Sequence, residues 1–377
     1  MYEEYETSEF IREALDKMKI DYRHPVAKTG VVGMLGKGKP VVALRADMDA
    51  LPILEQTGFS FQSKTPGKMH ACGHDAHVTM LLGAARILKE HEAELAGSVR
   101  LIFQPAEEGG AGGELMVQEG VLDGVDAIFG QHVWPFLPSG TLGSRAGALM
   151  GACQQFQVTI KGRGGHAAMP HTVIDPIVAS SHVILALQAL VSRETSPLGT
   201  AVVSVTKQAA GEGAYNVIPE SASFGGTIRS LSHDHLMQLK RRINEVAQGV
   251  ATSFQCSAEV DWLEETEKYY PPTVNNKETY KFAMQVGRSL LGDPEKFHED
   301  YEPTLGGEDF SFYGQAGVPA AFVFLGMRNE SAGAVHGVHT PQFTLDEEVL
   351  QTGAAYLASL AAQYLEQHGG TTAHQEL

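Results

Sequence analysis

At 377 residues the chain is too long for a single small module and has the length of two domains, or of one large domain with an insertion. Apolar residues make up 43% and charged residues 19%, a composition that buries a sizeable core and excludes disorder. Lys and Arg number 28 against 45 Asp and Glu, and the resulting net charge of −17 repels phosphate backbones and anionic lipid heads, so nucleic acid and membrane surface are excluded as partners.

Over the first 150 residues helical and strand patterns alternate: a helix over 7–18, a strand over 40–44, a helix over 79–91 and a strand over 99–103. Such alternation predicts an α/β sheet covered by helices, and the apolar set Met80, Leu81, Ala84, Ala85, Leu88 has the helical period. Near Gly151 the pattern changes. Strand 156–160, helix 176–191, strands 201–206 and 221–229, helix 235–254 and strand 257–262 follow, which is the ferredoxin-like order βαββαβ. After the turn-rich Tyr269-Tyr270-Pro271-Pro272, the first pattern resumes with helix 278–291, strand 320–324 and helix 345–365. The expected architecture is therefore a discontinuous domain, 1–152 plus 266–377, carrying an inserted two-layer domain, 153–265. No run approaches the roughly 18 apolar residues of a membrane span, and the acidic start lacks a signal-peptide layout. The chain as written reads as cytoplasmic. Its three cysteines, Cys72, Cys153 and Cys256, are too few and too scattered for a disulfide framework. The end, small and polar from Gly369 to Thr372, is expected to fray, and His374-Gln375-Glu376-Leu377 is a degenerate luminal retention signal.

Five segments carry chemistry. In Met69-His70-Ala71-Cys72-Gly73-His74-Asp75-Ala76-His77 one thiol and three imidazoles fall just ahead of a helix, a donor set suited to zinc or manganese-like ions. Cys72 and His74 are expected in the turn before that helix, with His77 buttressing them from its start. Gln104-Pro105-Ala106-Glu107-Glu108-Gly109-Gly110 places two carboxylates at a strand end, where open α/β sheets build active sites. His132 is expected at the end of an apolar strand, His336 and His339 in a Gly-rich turn, and Asp47 and Asp49 just after the strand 40–44. Each alone is more often a cap or a solvated loop residue. Together they supply Cys, His, Glu, His and His from separate strand ends, enough for one or two divalent ions.

Those segments, read together, resemble the M20 metallopeptidase family and its amidohydrolase branch, with the nearest likeness to plant indoleacetic-acid–amino-acid hydrolases. The likeness runs from about Glu6 to Leu365 and rests on M-H-A-C-G-H-D-A-H, Q-P-A-E-E-G-G-A-G-G, K-G-R-G-G-H-A-A-M-P-H and H-T-P-x-F. It implies an α/β/α zinc-peptidase-like domain with a ferredoxin-like satellite that serves as lid or dimerisation domain, in a monomer or homodimer. It implies two divalent metal ions, Mn2+ or Zn2+, held by Cys72, His74, Glu108, His132 and His339, with Cys72 bridging. Glu107 matches the general base, Asp49 an acid supporting a metal-binding residue, and Asp47 stands where sister subfamilies have a histidine ligand. His166 would stabilise the oxyanion, and His166, Asn216 and Arg229 would hold the substrate, a small N-acyl amino acid cleaved to a carboxylic acid and a free amino acid. Family members commonly carry an R-R-x-x-H-x-x-P-E-L helix upstream of the segment that starts here. If such a segment and a signal peptide belong to the natural protein, the tail places it in the endoplasmic reticulum lumen. Two other classes stay open on the residues alone: a cysteine-nucleophile hydrolase using Cys72, and a metal-binding scaffold without catalysis.

Overall fold

The computed structural model describes residues 1–369; the run after Gly369 and the His374 to Leu377 tail lie outside them. The described chain divides into two compact units, Met1–Leu149 with Thr273–Pro303 and the described residues from Asp309 onward, and Met150–Pro272 with Thr304–Glu308.

The first unit is built on an eight-stranded sheet in the order Asp21–Val26, Gly30–Gly36, Ser98–Gln104, Val41–Asp47, Ala127–Pro138, Ala320–Arg328, Leu142–Gly143, Phe297–His298. Its centre is parallel: Val41–Asp47 pairs in parallel with both Ser98–Gln104 and Ala127–Pro138, and the latter with Ala320–Arg328. Strands this central are buried on both faces and read as continuous apolar runs, which Ala-Ala-Phe-Val-Phe-Leu-Gly-Met illustrates from Ala320 onward. The helices His74–Glu90 and Val349–Gly369 pack against each other and on the sheet through Met80, Leu81, Ala84, Ala85, Leu357, Leu360 and Ala361, all buried in one core.

The structure departs from the expected elements in ways that matter for the site. The strand 40–44 continues to Asp47, so Arg45 and Asp47 are strand residues and lie opposite Ile102 and Gln104. The helix expected from 79 starts at His74, because its first turn is polar and carries no apolar period to announce it. His132 does not end its strand, which runs on to Pro138 paired with Ala320–Arg328. A hairpin of Asp21–Val26 with Gly30–Gly36 at the sheet edge has no counterpart in the sequence reading.

In the second unit, strands Ala152–Lys161, Val202–Ala210, Ser221–Ser230 and Ser257–Asp261 form an antiparallel sheet in which Ser221–Ser230 and Ala152–Lys161 are central. Helices Pro176–Ala189 and His233–Ser253 pack on it, giving the ferredoxin-like fold. Ala152–Lys161 alternates buried and outward residues, and Phe156, Val158 and Ile160 face Ala179, Val183, Leu187, Leu236 and Ile243 in a separate core. The segment Pro176–Glu194 is, against the sequence reading, long and apolar enough by composition to cross a membrane. Its apolarity has a local cause in part, since Ala179, Val183, Leu187 and Leu190 belong to this core while Ile177, Val178 and Leu185 are exposed.

Candidate metal centre

The candidate donors converge within the first unit. Cys72 Sγ lies 3.5 Å from His132 Nε2 and 3.3 Å from His339 Nε2, and His339 Nε2 is 3.0 Å from Glu108 Oε1. Donor atoms of Cys72, His74 and His132 all lie within 4.8 Å of one another, as do those of Cys72, Glu108 and His339, and those of His74, Glu107 and Glu108. Cys72 is shared by the first two sets, the place a bridging thiolate needs. His336 of the same turn, exposed as His339 is, is in none of these groups.

Local structure aims each group. Gly73, at φ +88, turns the chain into the helix, and a Cβ on it would meet Val133 Cγ2 at 2.3 Å. We expect Gly73→Ala to destabilise the metal-free protein by about 2–4 kcal/mol from the strained backbone and the clash together; urea unfolding near the wild-type midpoint would refute it. The loop bearing the acid pair has Ala106 at φ 55, Gly109 at φ 94 and Ala111 at φ 51, and the two left-handed alanines carry local strain beside Glu107 and Glu108. Asp49 pins that loop, its Oδ1 accepting the Glu107 N–H and its Oδ2 the Glu108 N–H, each at 3.0 Å. His132 donates from Nδ1 to the Val133 carbonyl at 2.7 Å, which leaves the Nε2 lone pair facing Cys72. His77 accepts the Val133 N–H at Nε2, so its Nδ1 carries the proton shared with Asp47 Oδ1 at 2.5 Å.

The electrostatics of these groups fit a cation. Burial pushes the Cys72 thiol up to about 12, and the Glu108 and Asp47 carboxylates add to the rise, so the site favours a neutral thiol until positive charge arrives. Burial opposes charge on His74, yet Asp47 and Asp49 beside it raise its affinity for a proton well above the ordinary imidazole range. Neither His74 ring nitrogen, both fully buried, makes a well-formed hydrogen bond, although Asp49 Oδ1 is 3.3 Å from Nδ1. A buried imidazole whose nitrogens have only such loose neighbours, Asp47 Oδ2 at 3.6 Å among them, is what a pair of divalent ions would satisfy. Burial holds His132 well below its usual value, with His77 and His74 adding to the drop, which keeps a neutral nitrogen for a ligand role.

Sequence reasoning gave no role to Arg45, Gln104 or Asp309, which form a fully buried network beneath these donors. The Asp309 carboxyl is pushed up to about 6 by burial, against the pull of Arg45 and of the Gly113 N–H and Gln104 bonds. A cavity of about 940 Å3 opens on Glu108 from the same unit, walled by Met1, Phe59, Phe61, His70 and Phe343, and its size is that of small-molecule sites.

His166 and Asn216 meet in the second unit. Gly165–His166 pairs with Val217–Ile218, and the Ala167 N–H donates to the Asn216 carbonyl at 2.8 Å. His166 Nδ1 accepts the Ala168 N–H at 3.1 Å, leaving Nε2 as the protonated, exposed donor. Arg229 stands apart from that pair, opposite Cys153 in the sheet, with Nη1 donating to the Leu305 carbonyl at 2.7 Å.

Comparison with known proteins identifies the family. The sequence profile of peptidase family M20/M25/M40 matches residues 43–363. The chain is 51% identical over 365 residues to the Arabidopsis thaliana IAA-amino acid hydrolase ILR1-like 4, covering 97% of this chain and 82% of that one. It is 42% identical to the Bacillus subtilis N-acetylcysteine deacetylase over 97% of this chain and 93% of the relative. The crystal structure of Bacillus subtilis YXEP, described as a dinuclear metal binding peptidase from the M20 family, superposes with a TM-score of 0.82 at 38% identity, covering 97% of this chain and 93% of that one. The chain thus belongs to peptidase family M20/M25/M40 and is a metal-dependent hydrolase of amide bonds.

Proposed function

We propose that the chain cleaves N-acyl amino acids to a carboxylic acid and a free amino acid, with IAA conjugates and N-acetyl amino acids as the substrates to try first. The observation that carries this reading is the placing of Glu107, buried and beside Glu108, within reach of His74 at the edge of the Cys72 donor cluster. The names of the relatives, an IAA-amino acid hydrolase and an N-acetylcysteine deacetylase, support the substrate class.

In this reading Cys72, His74, Glu108, His132 and His339 hold two divalent ions, Mn2+ or Zn2+, and Asp49 fixes the loop that carries the acid pair. When bound, such a pair supplies Lewis acidity and lowers the pKa of a water. Glu107 takes the proton of the attacking water and delivers it to the departing amine nitrogen. His166, with its Nε2–H exposed, is the assigned donor to the oxyanion, and Asn216 and Arg229 are assigned to the free carboxylate by motif. Arg229 keeps further N–H donors beyond the one given to Leu305, enough for a forked pairing.

The deciding experiment is a screen of N-acyl amino acids, IAA conjugates and hippurate with added Mn2+ or Zn2+. Metal-dependent release of the free amino acid is expected; inertness toward every N-acyl amino acid in the metal-loaded state would overturn the proposal. Arg229→Ala should raise KM for N-acyl amino acids roughly tenfold to a hundredfold, since a charge-assisted bond contributes about 1.5–3 kcal/mol. The matching amino-acid amides lack the charge and should show little change. Equal effects on acid and amide would make Arg229 structural.

A further inference from the structure

Arg45 is among the largest fully buried side chains, and its guanidinium reaches both sides of the candidate centre. Nη1 donates to Asp47 Oδ2 and Nη2 to Asp309 Oδ1, each at 2.7 Å, while Nε donates to Gln104 Oε1 at 2.9 Å. From Asp47 the bonds run toward the metal donors: Asp47 holds His77 Nδ1, and His77 Nε2 takes the Val133 N–H, which fixes the strand beside His132. From Asp309 they run toward the base. The Asp309 backbone N–H donates to Glu107 Oε1 at 3.3 Å, and its carboxylate is held further by Gln104 Nε2 and the Gly113 N–H, each at 2.8 Å. Gln104 is itself three residues ahead of Glu107, and Tyr313 Oη donates to its Oε1 at 3.0 Å.

A planar fork with donors in fixed directions sets the distance between whatever its arms hold, which a lysine ammonium does not do. Asp47 is hydrogen-bonded to this fork and to His77, and its Oδ2 lies 3.6 Å from His74 Nε2. The groups that take the three Arg45 bonds, Asp47, Asp309 and Gln104, are not themselves proposed ligands, and against the effect of burial the guanidinium also holds the Asp47 carboxyl low. The fork therefore acts on the donors through the groups it positions.

We propose that Arg45 is a positioning residue for amide hydrolysis: through Asp47 and His77 on one side and Asp309 on the other, it holds Glu107 in register with the metal donors. The inference rests on the reading of Glu107 as the base and adds the residue that places it.

The test uses full-length Arg45→Gln loaded with Mn2+, with metal content measured by elemental analysis and kinetics on an N-acyl amino acid that the wild type cleaves. The expected result is a full metal complement, KM within about twofold and kcat lower by roughly tenfold to a hundredfold, the scale of a misplacement near 1 Å. Arg45→Lys should recover only part of kcat. Removing a buried charge that pairs two carboxylates is destabilising; if Arg45→Gln does not fold, Asp309→Asn, which removes the charge that pairs with Arg45 and turns an amide NH2 toward the Gln104 Nε2 and Gly113 N–H donors, is read by the same split. Unchanged kcat in the metal-loaded variant, a loss confined to KM, or loss of metal in step with activity would overturn the proposal. A wild type inert to every N-acyl amino acid brings down the functional reading and this one with it; an active wild type matched by its variants brings down this one alone.

Discussion

Glu107→Gln is expected to keep the fold and both metals yet lose on the order of a hundredfold to ten-thousandfold of kcat, the usual effect of removing a general base. The amide has the size of the carboxylate, so the Glu107 N–H can still donate to Asp49 Oδ1, and the loop should not move. The Asp309 N–H can still donate to the amide oxygen in place of Glu107 Oε1. What is lost is the capacity to take a proton. Steady-state kinetics paired with elemental analysis gives the answer, and turnover close to wild type in a metal-loaded variant would remove Glu107 from the mechanism. Glu108→Gln separates the two neighbours: its Oε1 lies 3.0 Å from His339 Nε2 within the Cys72 group, so this variant should lose metal first and activity in consequence.

Cys72→Ser should weaken metal binding by more than about a hundredfold, since even the partners of metal ligands commonly contribute ten- to a hundredfold. Cys72, like His74 and Glu108, belongs to more than one donor group, so its loss touches both the His132 and the His339 side. A hydroxyl is a poor substitute for a thiolate. Chelation of the wild type should abolish activity, and added metal should restore it. A cysteine-nucleophile enzyme would behave in the opposite way, surviving chelation and losing turnover in a fully metallated Cys72→Ser protein.

The sequence displays short-range order well and long-range order poorly. The ferredoxin-like unit is legible because a strand such as Ala152–Lys161 alternates and the helix His233–Ser253 keeps a 3.6-residue period, whereas Pro176–Ala189 is apolar nearly all round. The convergence of Cys72, His74, Glu108, His132 and His339 is legible because thiols, imidazoles and carboxylates have few structural uses in such numbers, although His132 lies within its strand and His74 within its helix. The edge hairpin escaped notice because Asp21–Val26 is polar, half exposed and contains Pro25, none of which marks a strand. His74 was set outside its helix because polar first turns carry no hydrophobic period. Arg45 was invisible for a different reason: its partner Asp309 is 264 positions away, and nothing in the spacing of either residue announces the pair.

The meeting of His339 with Cys72 spans 267 positions of the chain. A ribosome delivers residues in order, so a nascent chain presents Cys72, His74, Glu108 and His132 long before His339 exists. It must also complete the inserted unit before Ala320–Arg328 can pair with Ala127–Pro138 and bring the last imidazole home. A polypeptide interrupted between His132 and His339 holds four of the five proposed donors and one complete cluster of the two that share Cys72. Full metallation is thereby tied to the finished product of translation, and a fragment ending ahead of His339 would carry the thiol without the partner that arrives last.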